Sequence, residues 1–272
     1  MSKLGILAGG GELPSMLIQA CRERGWPFHV VAFLGQADED TIAGVPHDWV
    51  RLGEAAKLVA ALHAAGVDRV VMCGKVHRPS LSALMPDWRG VKFLARIGGR
   101  LLSDNRLMEA IVKEFEAEGF AVIGPADVAR SLLARAGPYG RLTPSAEEAI
   151  SIVAGFAAAR KAGQHDLGQS ALVQGSTILD VEGPDGTDGL IARCAERQMG
   201  GAGAILVKAR KPQQEMRADP PVIGMLTVHK AAAARFRGIA VEAGGVLVLD
   251  GQALGEAADA AGMFLIGTDV AP

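Results

Sequence analysis

The residues whose types and spacing could do chemistry fall mainly into two segments in the second half of the chain. The first segment is acidic: it places Glu182, Asp185 and Asp188 within seven residues, with Thr187 among them. Oxygen-only clusters of this kind suit Mg²⁺, which takes one or two carboxylates together with phosphate oxygens. Acidic turns before a helix have the same composition, with Thr187 or Asp188 as the N-cap. The segment therefore predicts a magnesium site and leaves a plain helix-capping turn open.

The second segment is a proline-containing loop, residues 208–221, that mixes basic and acidic side chains after an apolar strand. Lys208, Lys211 and Arg217 could hold a pyrophosphate through charge-assisted hydrogen bonds. Asp219 could ligate the metal that neutralises the same group. Long irregular loops inside a compact domain are usually functional or disordered, and the apolar strand before this one favours function. A solvated charged loop is the alternative.

The first half of the chain has two further candidates, each placed directly after a predicted strand. Gly10 and Gly11 belong to a run of three glycines before a helix, where backbone N–H groups can face a phosphate or a sugar. Lys75 and Arg78 follow the third strand, and ligands of parallel sheets bind at the carboxyl ends of strands. A tight turn needed only for packing, and two solvated basic residues, are the alternatives.

The glycine turn does not match the dinucleotide-binding fingerprint. Pro14 occupies the third glycine position, and Gly35 and Gln36 stand where an acidic residue would bind the ribose. We therefore expect the first half to bind no NAD. The same opening is similar to that of sugar nucleotidyltransferases, but Glu12 and Leu13 follow where those enzymes carry a segment with a phosphate-binding arginine.

The elements that must position these residues alternate between short apolar strands and helices. This alternation predicts an α/β protein whose N-terminal domain is a Rossmann-like parallel sheet wrapped by helices. The predicted N-terminal strands are residues 4–8, 29–34, 69–73 and 120–124. The predicted C-terminal strands are residues 170–174, 177–182, 203–208, 239–242 and 246–249, in a second α/β domain.

The clearest boundary in the chain is a glycine- and proline-rich run in its middle. We predict an N-terminal domain over residues 1–136, a linker over 137–143 and a catalytic C-terminal domain over 144–272. Ser145 and Glu148 predict a capping box at the start of the first helix after the linker. Because candidate residues come from both halves, we expect the ligand in the cleft between the domains.

Composition excludes several classes of protein. The 272 residues carry 28 Lys and Arg against 30 Asp and Glu, a balance unlike that of a basic nucleic-acid-binding protein. The three cysteines are scattered and form no C-x-x-C pair, which excludes a disulfide framework and a cysteine zinc site and fits a cytoplasmic protein. No apolar run is long enough to predict a transmembrane helix. Residues 81–102 form a basic amphipathic segment that suits either an ordinary domain helix or an anionic membrane surface.

The order and spacing of these motifs resemble the UDP-2,3-diacylglucosamine pyrophosphatases of the LpxI family, enzymes of lipid A biosynthesis in Gram-negative bacteria. The resemblance covers essentially the whole chain. It rests on residues 5–14 (GILAGGGELP), 74–79 (GKVHRP), 168–170 (GQS), Glu182 with 186–188 (GTD), 208–212 (KARKP), 217–219 (RAD) and 238–244 (GIAVEAG).

The resemblance implies hydrolysis of UDP-2,3-diacylglucosamine to UMP and 2,3-diacylglucosamine 1-phosphate (lipid X), with Mg²⁺. It also implies a homodimer that is cytoplasmic or peripheral on the inner membrane. We predict Asp219, Asp188 and Glu182 as the metal ligands, and Gln169 and Thr187 among the substrate contacts. A non-catalytic nucleotide-sugar or lipid-binding protein and a sugar nucleotidyltransferase remain the alternatives.

Overall fold

A computed structural model describes residues 2–77, 86–97, 104–198 and 203–270 of the chain. The chain divides into two compact units. The N-terminal unit comprises Met1–Arg130 together with Glu215–Asp219, and the C-terminal unit comprises Ser131–Gln214 together with Pro220–Pro272. The segment Glu215–Asp219, called the strap below, thus comes from the second half of the chain and belongs to the first unit.

The N-terminal unit is built on a five-stranded sheet in the order β3-β2-β1-β4-β5, and every pairing in it is parallel. The strands are β1 (Leu4–Ala8), β2 (Phe28–Phe33), β3 (His47–Val50), β4 (Arg69–Cys73) and β5 (Ala121–Ile123). This order is that of a Rossmann-like half, and the predicted α/β class is confirmed. The edge strand β3 was not predicted, because its sequence is largely polar and exposed.

The described helices of this unit are α1 (Glu12–Glu23), α2 (Glu39–Ile42), α3 (Ala55–Ala64), α4 (Trp88–Ile97), α5 (Asp104–Ala117) and α6 (Pro125–Val128). A largely aliphatic part of its core includes Leu7, Val31, Leu62 and Val70. Helix α6 ends at Val128, and a 3₁₀ turn over Arg130–Leu132 follows it.

Helix α4 occupies part of the basic amphipathic segment, and the rest of that segment lies outside the described residues except for residues 86 and 87. Asp87 connects the starts of two helices: one carboxylate oxygen accepts from Ala56 N of α3 and the other from Gly90 N of α4, at 2.6 and 2.9 Å. Trp88 and Val91 remain exposed on α4. In the part of the chain that the structure covers, no helix has the length and apolarity to span a bilayer.

The C-terminal unit contains a six-stranded mixed sheet in the order β6-β13-β11-β9-β7-β8. Its strands are β6 (Gly137–Pro138), β7 (Ser170–Gln174), β8 (Thr177–Val181), β9 (Ile205–Lys208), β11 (Gly238–Glu242) and β13 (Phe264–Thr268). The central strands β9, β11 and β13 run parallel, and β7 and β8 are antiparallel to their neighbours. A separate parallel pair joins β10 (Val222–Ile223) and β12 (Leu247–Val248).

Four described helices complete this unit: α7 (Ala146–Gln164), α8 (Gly186–Ala195), α9 (Met225–Ala233) and α10 (Gly251–Ala260). The predicted capping box of α7 is confirmed, since Ser145 Oγ accepts from Glu148 N and Glu148 Oε2 accepts from Ser145 N. Residues 137–143 were predicted as a linker, but the run begins with a strand of the C-terminal sheet. Gly137 and Pro138 pair with β13, and Tyr139 N donates to Leu265 O at 2.9 Å, so backbone hydrogen bonds incorporate this run into the C-terminal unit.

Candidate functional site

One edge of the C-terminal sheet collects several of the predicted site residues. Lys208 ends β9, and Ser170, which begins the antiparallel strand β7, lies opposite it. Glu182 follows the end of β8 and donates its N–H to Ser170 O at 2.8 Å. Because β7 begins where β9 and β8 end, side chains distant in sequence meet at the same edge.

A buried chain of hydrogen bonds runs through this edge. Lys208 Nζ donates to Thr187 Oγ1 at 2.9 Å, and Thr187 Oγ1 donates to Glu182 Oε2 at 2.8 Å. Lys208 is 6 % exposed and Glu182 is 7 % exposed. Buried charges persist when they are paired and hydrogen-bonded, and here the hydroxyl of Thr187 bridges the two. The structure therefore brings together Lys208, Thr187 and Glu182, which the sequence predicted as separate contributors.

Gln169 directly precedes Ser170, the residue that lies opposite Lys208. Its backbone oxygen accepts from Ala209 N at 2.9 Å, which ties it to the residue after Lys208. Its side-chain Oε1 is buried and has no hydrogen-bond partner within the described residues. Buried acceptors are nearly always satisfied in native proteins, so an orphan of this kind indicates a donor supplied by a ligand or by water. This observation supports the prediction that Gln169 binds substrate.

Asp188 lies on the first turn of α8 and pairs with Lys230 of α9, with 2.6 Å between Asp188 Oδ2 and Lys230 Nζ. Across the described ranges, no group of three or more His, Cys, Asp or Glu side chains is placed to hold a metal ion. The predicted ligands Glu182, Asp188 and Asp219 are all hard oxygen donors. Such donors fit Mg²⁺ when the ion completes its shell with phosphate oxygens and water.

Lys211, in the loop after β9, has a carboxylate of its own. Its Nζ lies 2.6 Å from Asp166 Oδ1, just beyond the end of α7, and both side chains are largely buried. Its backbone N–H donates to Gln214 Oε1 at 2.9 Å. Lys211 is therefore held against the end of α7, while Lys208 is held by Thr187.

Glu242 is a buried carboxylate at this edge that the sequence analysis did not single out. It ends β11, and its Oε2 accepts from Arg210 N at 2.9 Å while its Oε1 accepts from Arg160 Nη2 at 3.3 Å. The bond to Arg210 fixes the path of the chain between Lys208 and Lys211. The sequence signal that could have identified Glu242 is its position as an acidic residue at the end of the otherwise apolar strand Gly238–Glu242.

The strap belongs to the N-terminal unit through specific contacts. Glu215 N donates to Asn105 Oδ1 at 2.9 Å, and Ala218 packs against the N-terminal core. Arg217 Nη1 donates to Glu116 Oε1 of α5 at 2.8 Å. The predicted basic residues therefore separate: Lys208 and Lys211 lie in the C-terminal unit, and Arg217 lies in the N-terminal unit.

The guanidinium of Arg217 donates hydrogen bonds to two carboxylates. Its Nε and Nη2 donate to the two oxygens of Glu215 at 2.9 and 2.8 Å, a bidentate pair, and Glu116 takes the remaining side. These hydrogen bonds hold the pKa of Glu215 below its ordinary value and raise the pKa of Arg217. Asp219 is the last residue of the strap and is exposed. Its backbone N–H donates to Glu215 O at 3.0 Å.

The glycine turn of the N-terminal unit is explained largely by close packing. A Cβ on Gly10 would lie 2.5 Å from Gln36 O. Gly10 N donates to Lys75 O at 2.9 Å, and Gly11, at φ 87°, donates its N–H to Asp38 Oδ2 at 3.0 Å. For these two N–H groups to contact a phosphate, the bonds to Lys75 and Asp38 would have to break.

Two backbone hydrogen bonds, one in each direction, join Lys75 to Gly10 and place Lys75 beside this turn. The side chain of Lys75 is exposed. Its neighbour His77 donates its N–H to Gln36 Oε1 at 2.7 Å, which joins the loops after β2 and β4. The other predicted contact on this loop, Arg78, lies outside the described residues. The contacts predicted for Lys75, Gly10 and Gly11 with substrate stay predictions.

Comparison with known proteins gives a consistent result for both halves of the chain. Residues 3–132 match the LpxI N-terminal domain, and residues 135–266 match the LpxI C-terminal domain. A protein of Caulobacter vibrioides named UDP-2,3-diacylglucosamine pyrophosphatase LpxI is 39 % identical over 280 residues, covering 99 % of this chain and 98 % of that protein.

Among solved structures, the UDP-glucose 4-epimerase of Thermus thermophilus in complex with NAD shows a weak likeness. Its TM-score is 0.33 at 16 % identity, covering 99 % of this chain and 86 % of that one, and it carries no conclusion about function. The two domain matches span nearly the whole sequence, and the full-length relative has the same extent. The chain therefore belongs to the LpxI family.

Proposed function

We propose that this protein hydrolyses the pyrophosphate of UDP-2,3-diacylglucosamine to UMP and 2,3-diacylglucosamine 1-phosphate, in lipid A biosynthesis. Family membership and the named relative support this substrate. The observation that carries the proposal is the buried edge of the C-terminal sheet. There Lys208 is held by Thr187, which in turn bonds to Glu182. Gln169, whose side-chain oxygen is unsatisfied, is bonded through its backbone to the residue after Lys208.

In this reaction the oxygen of a water molecule bonds to one phosphorus, and the bond from that phosphorus to the bridging oxygen breaks. The bridging oxygen leaves on the other phosphate, and the protons of the water pass to products and solvent. Lys208 is suited to stabilise the negative charge on the non-bridging oxygens, because Thr187 holds its ammonium in place before substrate arrives. Lys211 is held in a fixed position in the same way by Asp166.

We propose Mg²⁺ as the cofactor. Of its predicted ligands, Glu182 and Asp188 belong to the C-terminal unit and Asp219 to the N-terminal unit, and all three are hard oxygen donors. When bound, the ion would supply positive charge that stabilises the phosphate oxygens. Glu182 also accepts from Thr187, which holds that hydroxyl toward Lys208. Asp188 is held by Lys230, so ligation by Asp188 would share or displace that ion pair.

A substrate with two acyl chains also gives a reason for contact with a membrane surface. Helix α4 offers exposed Trp88 and Val91, with Lys92 over the ring of Trp88 at 4.8 Å. Aromatic and cationic side chains together suit an anionic lipid interface. Co-sedimentation with vesicles of anionic and of neutral lipid tests this contact. The Trp88→Ser variant is expected to sediment less with anionic vesicles than the parent, and equal sedimentation would contradict the contact.

The experiment that tests the proposed reaction incubates the purified protein with UDP-2,3-diacylglucosamine and Mg²⁺, with and without a chelator, and quantifies UMP and lipid X. Lys208→Met keeps the length of the side chain and removes its charge, and we expect kcat to fall by roughly 10²-fold. Lys57→Met, an exposed lysine on α3, is the matched control.

Three outcomes decide between the alternatives. Binding of substrate without hydrolysis would replace the hydrolase with a carrier. Formation of a nucleoside triphosphate when inorganic pyrophosphate is supplied would favour the nucleotidyltransferase. Full activity in the presence of the chelator would remove Mg²⁺ while leaving the hydrolysis itself intact.

A further inference from the structure

The turn that ends helix α7 contains a residue in a backbone conformation that its side chain disfavours. Asp166 lies two residues beyond the end of the helix, with φ 55°. In this left-handed region an L side chain crowds its own backbone, and glycine is the residue usually found there. Leu167 N donates to Ala162 O, which identifies the turn as a Schellman motif with Asp166 at its left-handed position.

Other helices in the described ranges end with the same motif and permit a comparison. Helices α1, α3, α5 and α10 have glycine at this position, with φ between 63° and 93°: Gly25, Gly66, Gly119 and Gly262. Helix α9 has Arg235 there, with φ 56°. Asp166 and Arg235 therefore depart from the residue that the rest of this chain uses in the same turn.

Asp166 differs from Arg235 in what its side chain does. Arg235 is exposed, whereas the side chain of Asp166 is 18 % exposed and its Oδ1 lies 2.6 Å from Nζ of Lys211, which is 12 % exposed. Taking two charges out of water costs free energy, so a pair this buried is weak evidence for stability. The backbone conformation and the burial of charge both count against stability, and residues with such costs concentrate at functional sites.

The rest of Lys211 is fitted to the same end of the helix. A Cβ on Gly163 would lie 3.3 Å from both Cα and Cγ of Lys211, so the absence of a side chain lets the loop pack closely on α7. Gln213 Nε2 donates to Gly163 O at 2.9 Å, which ties the loop to the last turn. These contacts fix the stem of Lys211, and the carboxylate of Asp166 holds the ammonium. The C-terminal end of a helix also favours a cation.

We propose that Asp166 is a positioning residue, which holds the ammonium of Lys211 ready for the pyrophosphate before substrate arrives. This inference rests on the proposed function, in which Lys211 contacts the phosphate oxygens. A charge that is held in advance need not be ordered during the reaction, which is the advantage of preorganisation. Glycine at position 166 would relax the backbone but would release the ammonium.

The first test requires no hydrolysis. The purified protein is treated briefly with an amine-acetylating reagent, and the modification of each lysine is quantified by mass spectrometry. Lys211 should react slowly in the parent and several-fold faster in Asp166→Asn, which keeps the size of the side chain and tolerates the left-handed conformation. Lys57, exposed on α3, should react equally in both. Arg235→Gly, the matched control, relaxes the same turn in α9 and should leave the reactivity of Lys211 unchanged.

The second test measures kcat and KM for Asp166→Asn, for Lys211→Met and for the double variant. Asp166→Asn should lower kcat by roughly 10–100-fold with a smaller change in KM, since a misplaced charge matters most in the transition state. In the double variant the asparagine should add no further loss to that of Lys211→Met, because no ammonium is left to hold.

A glycine variant separates positioning from a purely structural role. Asp166→Gly relaxes the turn, so a structural role predicts that activity is kept, whereas positioning predicts the same loss of kcat as in Asp166→Asn. It also serves if Asp166→Asn does not fold, which thermal melts establish. Arg235→Gly should keep parental kcat and KM.

Several results would overturn the inference. One is equal reactivity of Lys211 in the parent and in Asp166→Asn, and another is parental kcat in Asp166→Gly. A loss from Asp166→Asn that is as large in the Lys211→Met background as in the parent would show that Asp166 does not act through Lys211.

Failure of the inference can be distinguished from failure of the proposed function. Parental kcat in Lys211→Met would overturn the inference and leave the hydrolysis standing. A parent that hydrolyses no substrate would contradict the proposed function, and the acetylation experiment would still decide whether Asp166 holds Lys211.

Discussion

The ammonium of Lys208, at the end of β9, donates a hydrogen bond of 2.9 Å to Thr187 Oγ1 of helix α8. The two residues are 21 positions apart in sequence, and both sit where the chain leaves or enters a regular element. The start of α8 therefore determines where the charge of Lys208 lies. The hydroxyl of Thr187 in turn donates a hydrogen bond to Glu182 Oε2.

The first prediction concerns this hydroxyl. Thr187→Val keeps the shape of the side chain but leaves Lys208 and Glu182 without their bridge, so the free energy of unfolding should fall by roughly 1–3 kcal/mol. The value of kcat should fall with it, and Thr187→Ser should recover most of both. Urea unfolding and steady-state kinetics on the three proteins check this. Thr177→Val, at an exposed strand position, is the control. A Thr187→Val protein with parental stability would contradict the bridging role.

The second prediction concerns Asp219, on the exposed end of the strap. If it holds Mg²⁺ against the pyrophosphate, Asp219→Ala should lower kcat by about 10²-fold or more. The melting temperature should hardly change, because little packing is removed. The measurement is kcat at saturating Mg²⁺ with a thermal melt, and Asp40→Ala, another exposed acid, is the control. A folded variant that keeps above roughly a tenth of parental kcat, against that expectation, would transfer the role to Asp188.

The third prediction concerns Lys75 at the edge of the N-terminal sheet. Its exposed side chain lies in the unit without Lys208, so it should bind the substrate and the transition state alike. Lys75→Met should then raise KM more than it lowers kcat, and we expect Arg78→Met to behave in the same way. Full kinetic curves, with Lys57→Met for comparison, separate the two constants. A collapse of kcat with KM unchanged would assign Lys75 to the chemical step.

The fourth prediction concerns pH. Hydrogen bonds from Arg217 hold the pKa of Glu215 below its ordinary value, so this carboxylate adds stability when it is ionised. That contribution is fully present above the unfolded pKa, at about 4.3, and is lost as the pH falls through the lower folded pKa. Glu215→Gln should therefore be less stable than the parent at neutral pH, and the difference should shrink in acid.

Denaturant unfolding of the parent and of Glu215→Gln at neutral pH and below the folded pKa checks the fourth prediction. A difference in unfolding free energy that is the same at both pH values would show that Glu215 acts through its shape and not through its charge.

The fifth prediction concerns NAD. The carboxylate of Asp38 already accepts the N–H of Gly11, at the position where a dinucleotide phosphate would meet the turn. Gly35 and Gln36 supply no carboxylate for a ribose. Titration with NADH, followed by fluorescence, should therefore show no binding at micromolar concentration. Saturable binding in that range would contradict the prediction.

The sequence by itself predicted the features that depend on neighbours along the chain. The apolar runs Leu4–Ala8 and Arg69–Cys73 were predicted as strands with these limits. The capping box of Ser145 and Glu148 was predicted from three residues of spacing. Such features depend on local periodicity and local hydrogen bonds, which the order of residue types largely determines.

The partners of the charged residues were decided only by the tertiary structure. Lys208 and Arg217 lie in one short stretch of the sequence, but Lys208 bonds to Thr187 and Arg217 bonds to Glu116, 101 positions away. The edge strand β3 was likewise missed, because its pairing with β2 stabilises a segment with little apolar pattern of its own. A charge can be read from the sequence, but its environment depends on which strand ends the fold brings together.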